Sequence, residues 1–176
     1  MYYTLFNAYE AIRNFLELGG GVLVIIAATL FLMWVLIFER FIYFTFSHGG
    51  FVRTVLDDWE AREERNSWNA HQIRDAMVSR VYLRANSLLP LIKTLVALCP
   101  LLGLLGTVTG MIQVFDVMAV SGTGNARSMA AGVAQATVPT MAGMVAALSG
   151  VFASTLLTGV ADGSVEQVRE SLTFDH

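Results

Sequence analysis

Hydrophobic positions along this chain gather into three long charge-free runs, separated by segments of amphipathic helical spacing. The first run holds the 21 residues between Glu17 and Glu39, the second the 22 between Lys93 and Asp116, and the third the 34 between Arg127 and Asp162. A helix needs about 20 apolar residues to cross a hydrocarbon core roughly 30 Å thick. The first two runs therefore predict one crossing each. As a single helix at 1.5 Å per residue the third would measure about 51 Å, too short for two crossings and a turn. Gly132, Pro139, Gly143 and Gly150 punctuate it, but no charged or turn-rich break divides it. It predicts one long helix projecting past the bilayer.

The flanking segments are helical in spacing as well. Tyr2, Leu5, Phe6, Tyr9, Ile12, Phe15 and Leu16 recur every three or four residues, opposite Asn7, Arg13 and Glu17. That pattern predicts an amphipathic N-terminal helix over residues 1–18, lying in the membrane interface. A plain extension of the span helix is the alternative. Gly19, Gly20 and Gly21 would let the chain bend into a first span over 19–46, whose inner end carries the aromatic belt Phe41, Tyr43, Phe44 and Phe46. A connection over 47–92 follows. Phe51, Val52, Val55 and Trp59 form one stripe there, among charges at 57–65 that fit a solvated face or, more sharply, a docking surface. Asn66-Ser67-Trp68-Asn69 interrupts the pattern before Ile73, Met77, Val81 and Leu88 resume it. A second span over 93–120, a link over 121–129 with loop chemistry at Ser121–Asn125, a third span over 130–161 and a tail over 162–176 complete the organisation.

Basic residues orient these spans. The segment from Glu39 to Lys93 holds eight of the 11 Lys and Arg, and the link holds one, Arg127. The positive-inside rule then places the long connection and the tail in the cytoplasm, and the N-terminus and the link outside. The first run is too long for a signal-peptide core and lacks a small-residue cleavage site, so it is expected to remain as a span.

Composition agrees: 55% of the 176 residues are hydrophobic and 14% charged, against about 25% charged in soluble domains. A net charge of −3 gives no footprint for nucleic acid. The single cysteine, Cys99, excludes an internal disulfide, and His48, His71 and His176 show no metal-ligand spacing. Only one lysine, Lys93, is present and no phosphate-cradling loop, so an ATPase or kinase is excluded. No cofactor is expected.

Chemistry inside the spans narrows the picture. Gly103, Gly106 and Gly110 share one face of the second span, and Gly143, Ala147, Gly150 and Ser154 one stripe of the third. Membrane helices approach closely through such faces, within one chain or between copies, because lipid supplies no hydrophobic drive between them. Thr107, Thr109, Gln113, Gln135, Thr137 and Thr140 bring polar atoms to membrane depth. A threonine can bond its own backbone, whereas a carboxamide needs several partners. Pro139 leaves the carbonyl of Gln135 without its helical donor. Asp116 lies near the outer end of the second span, and no carboxylate lies deep in any span. A chain carrying protons alone would need one.

Three stretches resemble the MotA/TolQ/ExbB proton-channel family: Gly103-Leu104-Leu105-Gly106-Thr107-Val108, Gly132-Val133-Ala134-Gln135-Ala136 and Thr140-Met141-Ala142-Gly143-Met144-Val145-Ala146-Ala147. The similarity extends from about Gly19 to Gly159, and the run 136–143 is most like ExbB-type members of a second, TolR-like TonB system. The resemblance implies an all-α integral membrane protein with three transmembrane helices, long helices reaching into the cytoplasm, and a homopentameric ring. It implies a multi-pass protein of the bacterial inner membrane, with a periplasmic N-terminus and cytoplasmic C-terminus. The ring would surround an ExbD-like single-span partner, and proton flow would energise a TonB-like protein acting on outer-membrane transport. Thr107 and Thr140 correspond to the family's pore threonines. Gln135 stands where the usual motif carries a glutamate. Since glutamine releases no proton, the titrating carboxylate is expected from the partner, with Thr107, Thr140 and Gln135 forming a polar track around it. Rival readings are a TolQ-like subunit of the Tol–Pal envelope system and a non-conducting membrane scaffold. A four-span flagellar stator fits the topology poorly. An intramembrane enzyme lacks a nucleophile elbow, a zinc set or paired acids, so no enzymatic activity is expected.

Overall fold

The structure, a computed structural model, describes residues 2–62, 67–121 and 126–172, and every regular element among them is helical. In chain order these are α1 (Tyr2–Ile42), a π-helical segment (Tyr43–Ser47), α2 (His48–Glu60), α3 (Trp68–Asn86), α4 (Leu89–Ser121) and α5 (Ala126–Ser171). Among the described residues three helical stretches are long and apolar enough to cross a membrane. The side chains that would form the aromatic face expected on 1–18 lie outside what is described, as do residues 122–125 of the loop expected over 121–125, whose Ser121 ends α4.

Local chemistry sets the breaks. Gly20 takes φ 63° and ψ −164° inside α1, the left-handed side where a Cβ is strained, so the helical path changes direction there. Ser67 caps α3, its side-chain oxygen accepting from the Ala70 N–H at 3.3 Å. Pro90 lies in the first turn of α4, where its missing N–H costs nothing. Pro100 and Pro139 are carried inside α4 and α5 without ending either helix.

Two compact bodies result. The first comprises Met1–Met33 and Thr94–Gly150. In it α4 and α5 run antiparallel, with Gly110 against Ala136, Gly106 against Pro139, Gly103 against Thr140 and the Cys99 carbonyl against Gly143. From α1, Leu23, Ile26 and Met33 are buried, and Met33 closes on Gly150.

The second body comprises Trp34–Lys93 and Val151–His176. Val78, Val81, Ala85, Leu89 and Ile92 form its buried row on α3 and α4, and Leu157, Ala161, Val165, Val168 and Leu172 the row on α5. Trp59 of α2 is 2% exposed. Two arginines serve helix ends here. Arg40, 6% exposed, donates to the Arg84 carbonyl and to Ser87 Oγ at the end of α3, beside Glu39 at 3.2 Å and over the Tyr43 ring at 5.1 Å. Arg74 donates to the carbonyls of Arg169 and Leu172, at 2.7 and 2.8 Å, where α5 ends. Each guanidinium satisfies carbonyls that a helix end leaves over.

Candidate functional site

Close approach of α4 and α5 builds the site. A methyl group added at Gly103 would stand 2.9 Å from Thr140 Cα, one at Gly110 2.6 Å from Ala136 Cβ, and one at Gly143 2.5 Å from the Cys99 carbonyl oxygen. At Gly106 it would enter the Pro139 ring. Gly150 meets Met33 and Val96 in the same way. Ala147 is half-buried, and its neighbour Ala146, at 3% exposure, takes the deeper position. Only hydrogen fits at these glycines, so the two backbones touch.

Contact this close brings a hydroxyl of one helix to a carbonyl of the other. Thr140 Oγ1 donates to the Gly103 carbonyl at 2.8 Å. Thr107, beside that carbonyl on α4, donates to the next one, Leu104, at 2.7 Å. Most span hydroxyls stay on their own helix: Thr109 on Leu105 and Gly106, Thr137 on Ala134, Ser149 on Ala146. Such local bonds are how a helix hides a hydroxyl from lipid. Thr140 instead ties two helices together beside Thr107, leaving both oxygens with lone pairs for a further donor.

Gln135 is not with them. At about 100° of rotation per residue, Thr107 and Thr140 fall on one flank of the α4–α5 seam, and Thr109, Gln113 and Gln135 on the other. That second flank borders a cavity of about 640 Å³, walled by the start of the first span at Gly20, Gly21, Val22 and Ile25 and by α4 and α5. Thr107 and Thr140 are absent from its described lining. Within one chain, then, the threonines lie on one flank of the seam and Gln135 on the other.

Among the described residues no group of three or more His, Cys, Asp or Glu is placed to hold a metal ion. Sequence reasoning missed the two arginine caps, although Arg40, at the end of an uncharged run, was a legible candidate for a paired interior cation. It also missed the packing of Gly132 on Val114 across the seam.

The model of the MotA/TolQ/ExbB proton channel family matches residues 46–170. An ExbB-like biopolymer transport protein of Synechocystis sp. is 46% identical over 61 residues, which is 33% of this chain and 24% of that protein. The match thus spans about a quarter of the relative's length. With the family model covering the connection and both helices of the seam, the chain belongs to the MotA/TolQ/ExbB proton channel family.

Proposed function

We propose that this chain is the ExbB-like subunit of a proton-driven motor in the bacterial inner membrane. Copies of it, five in the family arrangement, surround an ExbD-like single-span helix, and the assembly energises a TonB-like protein for outer-membrane transport. The N-terminus faces the periplasm and the C-terminus the cytoplasm.

One observation carries the proposal. Thr107 and Thr140 sit together on one flank of a seam whose backbones touch, with hydroxyls bound to the successive carbonyls of Gly103 and Leu104. The three charge-free runs contain no Asp or Glu. The chain therefore supplies a track of hydroxyl oxygens but no group that binds and releases a proton, and the titrating carboxylate belongs to the partner.

Co-reconstitution with the ExbD-like partner in liposomes, with internal pH followed after an imposed proton gradient, tests the proposal. Flux from the complex, none from this chain alone, and native mass spectrometry giving five copies around the partner is the expected result. Equal flux from the chain alone, or a closed assembly that admits no partner, overturns it.

A further inference from the structure

One histidine of the second body is buried with nothing to bond. His48 is 8% exposed, and neither Nδ1 nor Nε2 has a hydrogen-bond partner among the described residues. The Tyr43 hydroxyl is buried without a partner as well. A neutral imidazole carries one N–H and one lone pair, so both of its polar atoms go unanswered. Its surroundings are aromatic: the Tyr43 and Phe44 rings stand 5.9 and 5.3 Å away, edge to face. Burial pushes the His48 pKa down.

The backbone departs from the α-helix at the same place. Tyr43–Ser47 is π-helical, and the His48 N–H donates to the Tyr43 carbonyl, five residues back rather than four. Such a segment holds one residue more than an α turn, and π turns occur mostly as single bulges at functional sites. Without the extra residue, α2 would turn by one residue step, about 100°, relative to α1. A buried row of Ile37, Arg40, His48, Val55 and Trp59 crosses the segment. That turn would carry His48, Val55 and Trp59 out of the row, so the π register and the docking of α2 stand or fall together.

Charge around the ring opposes a proton on it. From α1, Arg40 lies 5.1 Å from the centre of the Tyr43 ring, its Nε 3.2 Å from Glu39. From α3, Arg84 lies 4.4 Å over the ring of Phe51, one turn past His48. Arg53, Asp57, Asp58 and Glu60 of α2 are exposed, as are His71, Asp75, Arg80 and Tyr82 of α3 and Asp162, Glu166, Arg169 and Glu170 of α5. Arg74 serves the end of α5. An imidazolium here would have a guanidinium one ring away on either side, two unpaired donors, and only a carboxylate that Arg40 already holds.

We propose that His48 is a proton-operated latch on the π-helical segment. Neutral, it stays buried and keeps α2 docked on α3; on gaining a proton from solvent it leaves the aromatic pocket, the segment winds to α-helix, and α2 turns out of register. This goes beyond the motor reading and needs only that residues 43–60 lie outside the hydrocarbon core. In the proposed orientation the pH it senses is that of the cytoplasm. Docking disfavours the charged ring, so the docked state loses ground as pH falls below the ordinary histidine value of about 6.5. The loss ends at the lower value of the docked ring, and pH changes well above 6.5 have no effect through this residue.

The test uses the full chain in nanodiscs of phosphatidylethanolamine and phosphatidylglycerol, with Trp34→Phe and Trp68→Phe leaving Trp59 as the only tryptophan. Trp59 is 2% exposed, so acrylamide should quench it weakly at neutral pH. On acidification the quenchable fraction should rise reversibly, by up to about tenfold per pH unit for one linked proton. Histidine NMR of the same chain should place the His48 titration at the midpoint of that rise. His48→Phe, which keeps a ring but no proton site, should hold Trp59 protected throughout, and His71→Gln should keep the transition. Quenching that does not change with pH overturns the proposal, as does a transition that survives in His48→Phe. If His48→Phe exposes Trp59 at every pH, the chain with its histidine intact decides: a shared midpoint of quenching and titration supports the latch, and separate midpoints overturn it.

Discussion

Replacing Thr140 by valine separates the packing role of this residue from its polar one. In the structure its hydroxyl donates to the Gly103 carbonyl at 2.8 Å, and that carbonyl also faces the helical N–H four residues on, at Thr107. Loss of the hydroxyl therefore orphans no backbone group. The cost is the net worth of one hydrogen bond, about 0.5–1.5 kcal/mol in general and about 0.6 kcal/mol between membrane helices. The glycine contacts of the seam remain, so α4 and α5 stay paired. If the same oxygen stabilises a passing proton by one ordinary hydrogen bond of about 1–1.5 kcal/mol, its removal slows flux about tenfold. Liposomes holding the complex report that flux, and detergent titration of unfolding reports the seam. The expected outcome for Thr140→Val is an intact assembly, a stability loss under about 1.5 kcal/mol, and a tenfold drop in flux that Thr140→Ser restores. Unchanged flux, or a Thr140→Ser variant as impaired as Thr140→Val, refutes the assignment of Thr140 to the proton path.

Gly143→Ala should be worse tolerated than its single methyl suggests, because the new carbon stands 2.5 Å from the Cys99 carbonyl oxygen, which is backbone and yields little; a loss of about 1–3 kcal/mol is expected in the same detergent titration. Arg40→Met should remove the bonds to the Arg84 carbonyl and Ser87 Oγ while keeping the aliphatic stem, at about 1.5–3 kcal/mol for charge-assisted bonds, with faster hydrogen exchange at residues 84–89. Arg40→Lys should restore little, since one ammonium cannot reproduce the planar fork over Tyr43.

The coarse architecture was legible because charge is expensive in hydrocarbon: three uncharged runs had to be helices long enough to cross, and three such helices are present. The three adjacent glycines were legible as a bend because a positive φ favours the residue without Cβ, and the break falls at Gly20. The face formed by Gly103, Gly106 and Gly110 was visible as a small-residue stripe, but its partner was not. Spacing alone does not reveal that Pro139 lies over Gly106 or that Ala136 lies over Gly110. The placement of Gln135 was hidden for a related reason. Residues 135 and 140 are close in sequence and both polar, yet five steps of about 100° place them well apart around the helix. Which flank meets the first span depends on a contact more than 80 residues away. The arginine caps at Arg40 and Arg74 likewise bind carbonyls 44 and 95 residues distant, beyond any local pattern.

Buried residues on α4 and α5 also mark where the solvent changes. Their spacing of three and four continues along both helices, but their size does not. In the first body the row consists of Val96, Cys99, Gly103 and Gly106 on α4 and of Ala136, Pro139, Gly143, Ala146 and Gly150 on α5, mostly small; in the second it consists of Leu89 and Ile92 on α4 and of Ser154, Leu157, Ala161, Val165, Val168 and Leu172 on α5, mostly large. Lipid tails are as apolar as leucine, so burying a large side chain between membrane helices gains little, and close backbone approach supplies the attraction instead. In water the balance reverses, and each buried Leu or Val contributes about 1.5–3 kcal/mol. The grain of the seam therefore places one membrane boundary near residues 92–99 on α4 and 150–157 on α5, close to the first charges at Lys93 and Asp162. Leu157→Ala, at 6% exposure, should then cost about 2–5 kcal/mol as a cavity in a water-driven core. Leu104→Ala, at 59% exposure within the first body, should leave the fold of a single chain nearly unchanged. Detergent unfolding titrations of the two variants measure the contrast, and equal losses would refute a change of solvent along the seam.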